Sequence, residues 1–239
     1  MTTGNLLLDS LSSQLRESML KTARTFESRV LTPARLHASA SDYCLFLTSG
    51  VAIEAVHLST GCGGEVGMYG NESVIGAGSL LWDKSLDSRT LAVRGHGYSV
   101  KASILAEFMK GSPEFRSAIN RSLWLQNFIG TQLAVCGRRH EADARIARFL
   151  LMAVDRTGQS MLQITQQQLA DLIAVRRTTA TSACILYAKD KILRTRRVVV
   201  HVLSRELLEG RACECYEACR NALAHLNESY SVRAPGTSR

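Results

Sequence analysis

The order of apolar and polar residues divides the chain into a helical start, a β-rich stretch and a helical second half. Leucines recur at near-helical spacing between charged residues at the start, so residues 1 to about 37 are predicted to be helical. From Asp42 to about Val100, short β-rich runs alternate with glycine, and ten of the 17 glycines fall here. The predicted strands are Tyr43–Leu47, Val51–Leu58, Val74–Ile75 and Thr90–Val93. Many short strands with glycine turns are typical of a β-sandwich or β-barrel.

A long helical pattern uninterrupted by proline follows over residues 113–139. Its apolar residues lie on two adjacent faces, with Phe115, Ile119 and Leu123 on one and Leu125, Ile129, Leu133 and Cys136 on the other. Apolar residues on more than one side of a helix need more than one partner surface. The pattern therefore predicts pairing with the same helix of a second chain in a two-fold homodimer. The alternative is a helix that packs only against the β-rich part of its own chain.

Two short helices joined by a tight turn are predicted within residues 164–183. Their apolar positions fit two helical periods separated by a phase change, which one helix cannot accommodate. Thr165 and Gln168 match the reciprocal capping box that begins a helix. The second helix is predicted from about Arg176 to about Tyr187, and another helix, Glu141–Ala153, precedes the pair. This arrangement is typical of a helix-turn-helix, whose second helix enters the DNA major groove.

The segment after the second helix is basic and β-rich. An Arg-rich turn at residues 194–197 leads into the strand Val198–Val202, and a helix-turn-helix followed by a basic hairpin is a winged helix. Arginine can pair bidentately with a guanine edge, and Thr or Ser hydroxyls can bond phosphates or bases. The residues predicted to contact DNA are Thr165, Gln166, Arg176, Arg177, Thr178, Thr179, Thr181, Ser182, Arg196 and Arg197. The alternative is an ordinary helical hairpin with a solvated basic face.

The distribution of charge favours a nucleic acid partner. The formal net charge is +8, of which residues 138–239 contribute +7, and residues 160–205 alone hold eight basic and two acidic side chains. Such a local excess is what neutralising phosphates requires. No apolar run approaches the roughly 18 residues of a membrane span, and no signal-peptide block is evident at the start. We therefore expect a cytoplasmic protein with no membrane partner.

These elements predict an α+β chain of three parts. Residues 1–112 would form a β-barrel domain with an N-terminal helical segment, and residues 113–139 the dimerisation helix. Residues 140–226 would form the winged-helix DNA-binding domain, with Ser204 capping its last helix. A polar tail, residues 227–239, is expected to be disordered.

This order of β-barrel, long helix and winged helix resembles the Crp/Fnr family of bacterial transcription regulators. The block ITQQQLADLIAVRRTT is similar to the family's Thr-x-x-x-Leu-Ala-x-x-x-Gly-x-Ser-Arg-x-Thr-Val signature. ADARIARFLL resembles the helix before it, and GEVGMYGNESVIGAGSLL resembles a barrel segment. The resemblance implies a cyclic-nucleotide-binding-like β-barrel and a homodimer on double-stranded DNA, with RNA polymerase as a further candidate partner. It also implies that Arg177 contacts a base edge and that Thr178 and Ser182 help to set the operator sequence.

The chain departs from this signature at three places. Ala174 stands where the turn usually has glycine, Arg176 replaces the usual capping serine, and Asp190-Lys191 replaces the glycine before the wing. A turn with Ala174 is predicted to be slightly strained or differently shaped. The fold is expected to survive all three changes, while the bases that are contacted stay open.

The resemblance also implies a barrel that binds cyclic AMP or another effector. Cyclic-nucleotide binders carry a Gly-Glu pair for the ribose and a later Arg-Ser or Arg-Thr pair for the cyclic phosphate. Here Gly76 is followed by Ala77, and Arg89-Thr90 comes after an insertion-like WDKSLDS, so the ribose contact is missing. The candidate effector residues are Gly76, Arg89 and Thr90, and cyclic AMP is disfavoured. Another small molecule, no effector, or an Arg89 that merely ends a hairpin are the alternatives.

Seven cysteines, an odd number, argue against a disulfide framework. Cys213, Cys215 and Cys219 have a C-x-C-x3-C spacing that could bind zinc or iron, with His225 or His201 as candidates for a missing fourth ligand. Cys215 and Cys219 share one helical face, so a core-facing stripe is favoured and no metal or cofactor is predicted. The remaining cysteines are expected to be buried small residues, and they are Cys44, Cys62, Cys136 and Cys184.

Two other classes of function stay open beside the DNA-binding regulator. The first is a redox- or metal-sensing regulator that uses the three C-terminal cysteines. The second is a ligand-binding module that acts through protein contacts. No phosphate loop, metalloprotease spacing or hydrolytic constellation is evident, so an enzyme is not expected.

Overall fold

The computed structural model describes residues 2–28, 33–35, 42–59, 63–81 and 89–231. Its first elements are α1 (Leu6–Asp9), α2 (Ser13–Leu20), β1 (Arg24–Ser28), β2 (Pro33–Arg35), β3 (Tyr43–His57), β4 (Gly63–Tyr69), β5 (Arg89–Lys101) and α3 (Ala102–Gly111). They are followed by α4 (Pro113–Arg139), α5 (Ala142–Thr157), β6 (Met161–Leu162), α6 (Gln166–Ile173), α7 (Arg177–Lys189), β7 (Leu193–Arg196), β8 (Val199–Val202), α8 (Arg205–Glu209) and α9 (Cys215–Ser231). The α+β class is confirmed, with an antiparallel sheet, a long helix and a C-terminal helix-turn-helix.

The N-terminal domain is built on one antiparallel sheet with strand order β1-β5-β3-β4, and β2 also pairs with β5. Strands β3 and β5 pair along almost their whole length. Gly50 and Gly95 lie opposite each other in this pairing, with φ angles of 94° and 147°. A Cβ on Gly50 would lie 2.1 Å from the carbonyl oxygen of Arg94, so only glycine permits this close approach of the two backbones.

Several expectations for this domain are wrong in detail. The helix predicted to residue 37 ends at Leu20, because pairing of residues 24–28 with the edge of β5 outweighs a weak local preference for helix. The two strands predicted on either side of Gly50 are one strand, β3, since this glycine serves a close approach instead of a turn. Strand β4 is missed because four of its first five positions are glycine or glutamate. Val74–Ile75 forms only an isolated bridge to Leu45.

Helix α4 has the bounds that the sequence predicts. Ser112 caps its start by accepting a hydrogen bond from the Phe115 amide at 3.1 Å, and Pro113 occupies the first turn, where a missing N–H costs nothing. At about 1.5 Å per residue, α4 is about 40 Å long. Six of the seven residues that the sequence places on its two apolar faces, including Phe115, Ile119, Leu125 and Ile129, are buried against its own chain, so both predicted faces are already covered within one chain. No helix in the described ranges combines the length and the apolar character needed to cross a bilayer.

The C-terminal domain packs three helices against a small sheet of order β6-β8-β7. Helix α5 supplies its central apolar face, with Ile146, Phe149, Leu150 and Ala153 all buried. Helix α8 begins at Ser204, whose hydroxyl accepts from the Leu207 amide at 3.3 Å. Helix α9 continues to Ser231 and packs along α4, so residues 227–231 of the expected tail are helical. The rest of that tail lies outside the described residues.

Two buried ion pairs join α5 to the N-terminal domain. Arg148 pairs with Glu65 of β4, and their side chains are 3% and 5% exposed. Arg156 pairs with Glu72, its Nε lying 3.1 Å from Oε1, with side chains 3% and 2% exposed. Glu72 also accepts the Gly70 amide at 3.1 Å. Because a buried charge that loses its partner is costly, these pairs fix the orientation of α5 on the sheet.

Candidate nucleic-acid interface

The capping box predicted at the start of α6 is present. Thr165 Oγ1 accepts from the Gln168 amide at 3.1 Å, and Gln168 Oε1 accepts from the Thr165 amide at 2.9 Å. The Thr165 hydroxyl also donates to the same Oε1 at 3.0 Å. The hydroxyl of this predicted DNA contact is therefore engaged in holding the helix start.

The turn between α6 and α7 has the left-handed backbone conformation that favours glycine, although alanine occupies the position. Ala174 has φ 57° and ψ 52°, in the left-handed region. The next amide, of Val175, donates to the Ala170 carbonyl at 3.0 Å and closes the helix end. Of the two possibilities for this alanine, the structure shows the strained turn. The strain of a left-handed alanine is about 1–2 kcal/mol.

Replacing Ala174 by glycine is expected to raise the free energy of unfolding by about 0.5–1 kcal/mol. Removing Cβ relieves the left-handed strain, and the greater freedom of glycine in the unfolded chain offsets part of the gain. Urea unfolding of the two proteins measures the difference. Ala188→Gly, at an exposed position inside α7, is the control and should lower the stability by about as much. A loss of stability in Ala174→Gly would contradict the strain assigned to this turn.

The first turn of helix α7, which begins with Arg177, is exposed to solvent. Ala180, Ala183, Cys184 and Tyr187 form its buried face. The Tyr187 hydroxyl donates to the Asp143 carbonyl at 2.9 Å and so ties α7 to α5. Burial raises the pKa of Tyr187 far above its ordinary value, so this donor stays protonated. The exposed residues of the first turns are Arg176, Arg177, Thr178, Thr179 and Ser182.

Two predicted contacts are engaged with each other. The half-buried Thr181 donates its hydroxyl hydrogen to Gln166 Oε1 at 2.9 Å. This bond braces α6 against α7 and uses the hydroxyl of Thr181 inside the protein.

The wing is a tight hairpin in which β7 and β8 pair from Leu193 opposite Val202 to Arg196 opposite Val199. The predicted Arg-rich turn is wrong in extent, because residues 194–196 belong to strand β7 and the turn is Arg197–Val198. The strand predicted from Val198 accordingly begins one residue later in the structure, at Val199. Both Arg196 and Arg197 are exposed, as a wing that reaches a phosphate backbone requires.

Five exposed arginines lie on α7 and the wing, and they are Arg176, Arg177, Arg194, Arg196 and Arg197. Among the described residues, none of them has an acidic partner. The nearby Asp190 is paired instead with Arg211 at 2.8 Å, and Asp171 accepts from Gln167 at 2.7 Å. Arg194 is the one that sequence reasoning missed. Its period-2 spacing from Arg196, which places both on one face of β7, was the available signal.

The candidate effector residues are not brought together. Gly76 lies beside Tyr43 at one end of β3, with φ 83°. Arg89 and Thr90 pair with Val56 and Ala55 at the other end of that strand. Twelve or so residues of strand at about 3.3 Å each separate the two places, on the order of 40 Å along β3. These three residues do not form a single pocket for a nucleotide.

The three C-terminal cysteines do not lie in one cluster. Cys219 is buried in the main core, whereas Cys213 and Cys215 form a separate cluster with Cys136 of α4. His140 completes this cluster, which we call the Cys-His cluster: Cys136, His140, Cys213 and Cys215. The histidines considered as fourth ligands lie elsewhere, since His225 faces Glu228 at 3.6 Å and His201 is in β8. Cys62 lies outside the described residues.

The four ligand atoms of the Cys-His cluster lie within 4.8 Å of one another. Cys136 Sγ is 3.5 Å from Cys213 Sγ, and Cys215 Sγ is 3.6 Å from His140 Nδ1. The hydrogen bond between the two thiols raises the pKa of Cys136 and lowers the pKa of Cys213. Three sulfur atoms and one imidazole nitrogen make a donor set that is suited to zinc.

Comparison with known proteins identifies the second domain. Residues 144–211 match the family of the Crp-like helix-turn-helix domain. We call these matched residues, 144–211, the Crp-like domain. The matched span runs from α5 through α6, α7 and the wing to just beyond α8. No curated protein matches the chain significantly by sequence.

Solved structures resemble the chain beyond its Crp-like domain. FixK2 from Bradyrhizobium japonicum is 16% identical, with a TM-score of 0.64 over 80% of this chain and 98% of that one. The c-di-GMP-responsive regulator CLP of Xanthomonas campestris is 17% identical, with a TM-score of 0.62 over 81% and 100%. A CRP-family transcriptional regulator from Thermus thermophilus is 16% identical, with a TM-score of 0.63 over 79% and 96%. The chain thus shares the fold of these proteins over most of its length.

The Crp-like domain and the Cys-His cluster occupy different parts of the chain. The match begins after His140 and ends at Arg211, before Cys213. The cluster therefore joins the end of α4 to the segment that follows the Crp-like domain. Sequence reasoning missed Cys136 and His140 as members, because they lie more than 70 positions before the cysteines that they meet.

Proposed function

We propose that this protein is a homodimeric, sequence-specific DNA-binding transcription regulator of the Crp/Fnr type. The observation that carries the proposal is the exposed cluster of arginines at the start of α7 and on the wing of the Crp-like domain, none of which has an acidic partner in the described part of the chain. Exposed cations without internal partners are free to neutralise phosphates and release counterions. Such a regulator acts in the cytoplasm, with RNA polymerase as a candidate partner. The proposal assigns no catalysis.

The roles of the individual residues follow from their positions. Arg177 begins α7 and is exposed, so it can present its planar donors to a base edge in the major groove. Thr178, Thr179 and Ser182 are its exposed neighbours on α7 and would tune the choice of bases. The residues assigned to phosphates are Gln166, Arg176, Arg196 and Arg197. Thr165 and Thr181 would act indirectly, since the hydroxyl of Thr165 holds the start of α6 and that of Thr181 is bonded to Gln166.

Dimerisation is supported by the outer surface of α4. Trp124, Phe128, Thr131 and Val135 follow the 4-3-4 spacing of a coiled-coil seam, and we call them the α4 seam. Trp124 is 54% exposed and stacks on Phe128 with ring centroids 5.7 Å apart, and Val135 is 52% exposed. The buried face of the same helix already contacts its own chain. A second copy of α4 is the partner that this seam fits.

The test compares two arginine substitutions on DNA. Random duplexes are first selected with the wild-type protein to find a preferred site, and binding is then measured over a range of salt concentrations. Arg177→Ala is expected to cost about 1–3 kcal/mol on the selected site, roughly a 5- to 150-fold loss of affinity, and much less on random DNA. Arg196→Ala is the matched control and should weaken both by a similar factor, with a shallower salt dependence.

Three results would contradict the proposal. Equal losses on selected and random DNA for Arg177→Ala would remove its role as a base reader. Selection that returns no common sequence would remove sequence specificity. Absence of salt-dependent binding to any duplex would favour an interaction module that works through protein contacts.

A further inference from the structure

The Cys-His cluster brings together side chains from two segments that are distant in the sequence. Cys136 lies in the last turn of α4, and His140 is the residue that ends this helix. Cys213 and Cys215 come from the connection between α8 and the start of α9. All three cysteines are buried, and the His140 side chain is 20% exposed. Distant parts of the chain thus place three sulfur atoms and one imidazole nitrogen close together, and the histidine among them is partly exposed to solvent.

The separations fit one tetrahedral ion. With zinc–sulfur bonds of about 2.3 Å and zinc–nitrogen bonds of about 2.0–2.1 Å, neighbouring ligands of a tetrahedron lie about 3.5–3.8 Å apart. The Cys136–Cys213 sulfur pair at 3.5 Å and the Cys215–His140 pair at 3.6 Å are close to these values. The remaining pairs lie within 4.8 Å. Small side-chain adjustments would bring all four atoms to bonding distance.

The surroundings of the cluster resemble the outer shell of a metal site. His140 turns Nδ1 towards Cys215, while its Nε2 lies 3.0–3.1 Å from the Glu214 carboxylate. A carboxylate on the second ring nitrogen orients a ligating histidine and makes it more basic. Gln132 Nε2 donates to Cys215 Sγ at 3.2 Å, a bond that would stabilise a thiolate. Packing of His140 and Cys215 in the core would require neither the contact with Glu214 nor the hydrogen bond from Gln132.

We propose that Cys136, His140, Cys213 and Cys215 bind one Zn²⁺ ion. Three thiolates and an imidazole select zinc over magnesium or calcium, which prefer oxygen ligands. A disulfide between Cys136 and Cys213 would not explain why Cys215, His140 and Glu214 lie in contact beside them. The site goes beyond the proposed function and does not depend on it. Its effect on DNA binding, by securing α4 to the segment after the Crp-like domain, rests on that function.

The first experiment measures metal in the full-length protein, purified under reducing conditions and incubated with Zn²⁺ before desalting. About one zinc per chain is expected in the wild type and almost none in the double variant Cys213→Ser, Cys215→Ser. Cys219→Ser, which alters a buried cysteine of the same helix outside the cluster, is the control and should keep its zinc. Co²⁺ in place of zinc should give the thiolate charge-transfer absorption and visible bands of a tetrahedral sulfur site.

A second variant covers the case in which the double variant fails to fold. Glu214 is 77% exposed, so Glu214→Gln leaves the core intact. It is expected to weaken zinc affinity about 10- to 100-fold, measured by competition with a chelator. Glu217→Gln, at an exposed position of α9, is the control and should change the affinity little.

Four results would overturn the site. They are a folded, reduced wild-type protein that retains no zinc, a double variant that folds and still holds zinc, equal zinc affinities in the two glutamate variants, and two or more irons per chain in place of a single zinc. None of these readouts uses DNA. Failure of the metal site and failure of the proposed function are therefore distinguishable.

Discussion

Arg156→Met is expected to lower the free energy of unfolding by about 3–5 kcal/mol, among the largest effects that a single substitution can have in this chain. Arg156 and Glu72 are almost completely buried, and each is the other's ion-pair partner. Methionine fills similar volume but leaves the Glu72 carboxylate buried without its cation. The hydrogen bond from the Gly70 amide remains and does not neutralise the charge. Chemical denaturation of the full-length protein measures the loss.

The matched control is the double variant Arg156→Met, Glu72→Gln. Glutamine keeps an acceptor for the Gly70 amide and removes the stranded charge, so most of the lost stability should return. Arg16→Met, at a longer ion pair of 4.0 Å near the surface, should cost far less. A double variant as unstable as Arg156→Met alone would show that packing, and not the unpaired carboxylate, sets the cost.

In the proposed homodimer, Val135→Glu is expected to favour monomers and to raise the dissociation constant by at least about 100-fold. In a parallel two-fold pairing of α4 seams, the two copies of residue 135 lie near each other, and two opposed carboxylates would be removed from water there. A factor of 100 corresponds to about 2.8 kcal/mol. Sedimentation equilibrium of the wild-type and variant proteins gives the two constants.

Ala134→Glu provides the control for this seam. Residue 134 is also exposed but lies about 100° round the helix from Val135, away from the seam. The same charge added there should leave the dimer nearly unchanged. A wild-type protein that is monomeric at micromolar concentration, or equal dissociation by both variants, would refute the seam as the dimer contact. Loss of the dimer should also weaken binding to the selected DNA site, because two half-sites are no longer bound together.

The helices that carry the candidate interface could be predicted from local chemistry. The capping box of Thr165 and Gln168 acts within four residues, and so does the phase change that separates α6 from α7. The bounds of α4 follow from Pro113 at its start and from one continuous apolar pattern. In each case the interactions that decide the structure join residues close together in the sequence.

The parts that could not be predicted depend on contacts between distant residues. Residues 24–28 become a strand because β5 offers them an edge some 70 positions later. The partners of Cys213 and Cys215 come from α4, and no local spacing reveals them. The distance between Gly76 and Arg89 likewise depends on the length of β3. In the sequence, the glycine at position 50 makes this one strand look like two. Ala174 shows a milder case, since its left-handed conformation follows from the helices on both sides and not from alanine's own preference.

The path of helix α9 has a consequence for how the molecule can be divided. Its Leu226 and Tyr230 are buried, and the Tyr230 hydroxyl donates to the Glu72 carbonyl at 3.3 Å, in the N-terminal domain. Arg121 of α4 lies over the Tyr230 ring, 5.2 Å from its centroid. No single cut can therefore separate an intact C-terminal domain from an intact N-terminal domain. A fragment that stops after the wing lacks α9 and exposes the surface of α4 on which α9 packs, and a fragment that begins after α4 keeps α9 but loses the helix that it packs along.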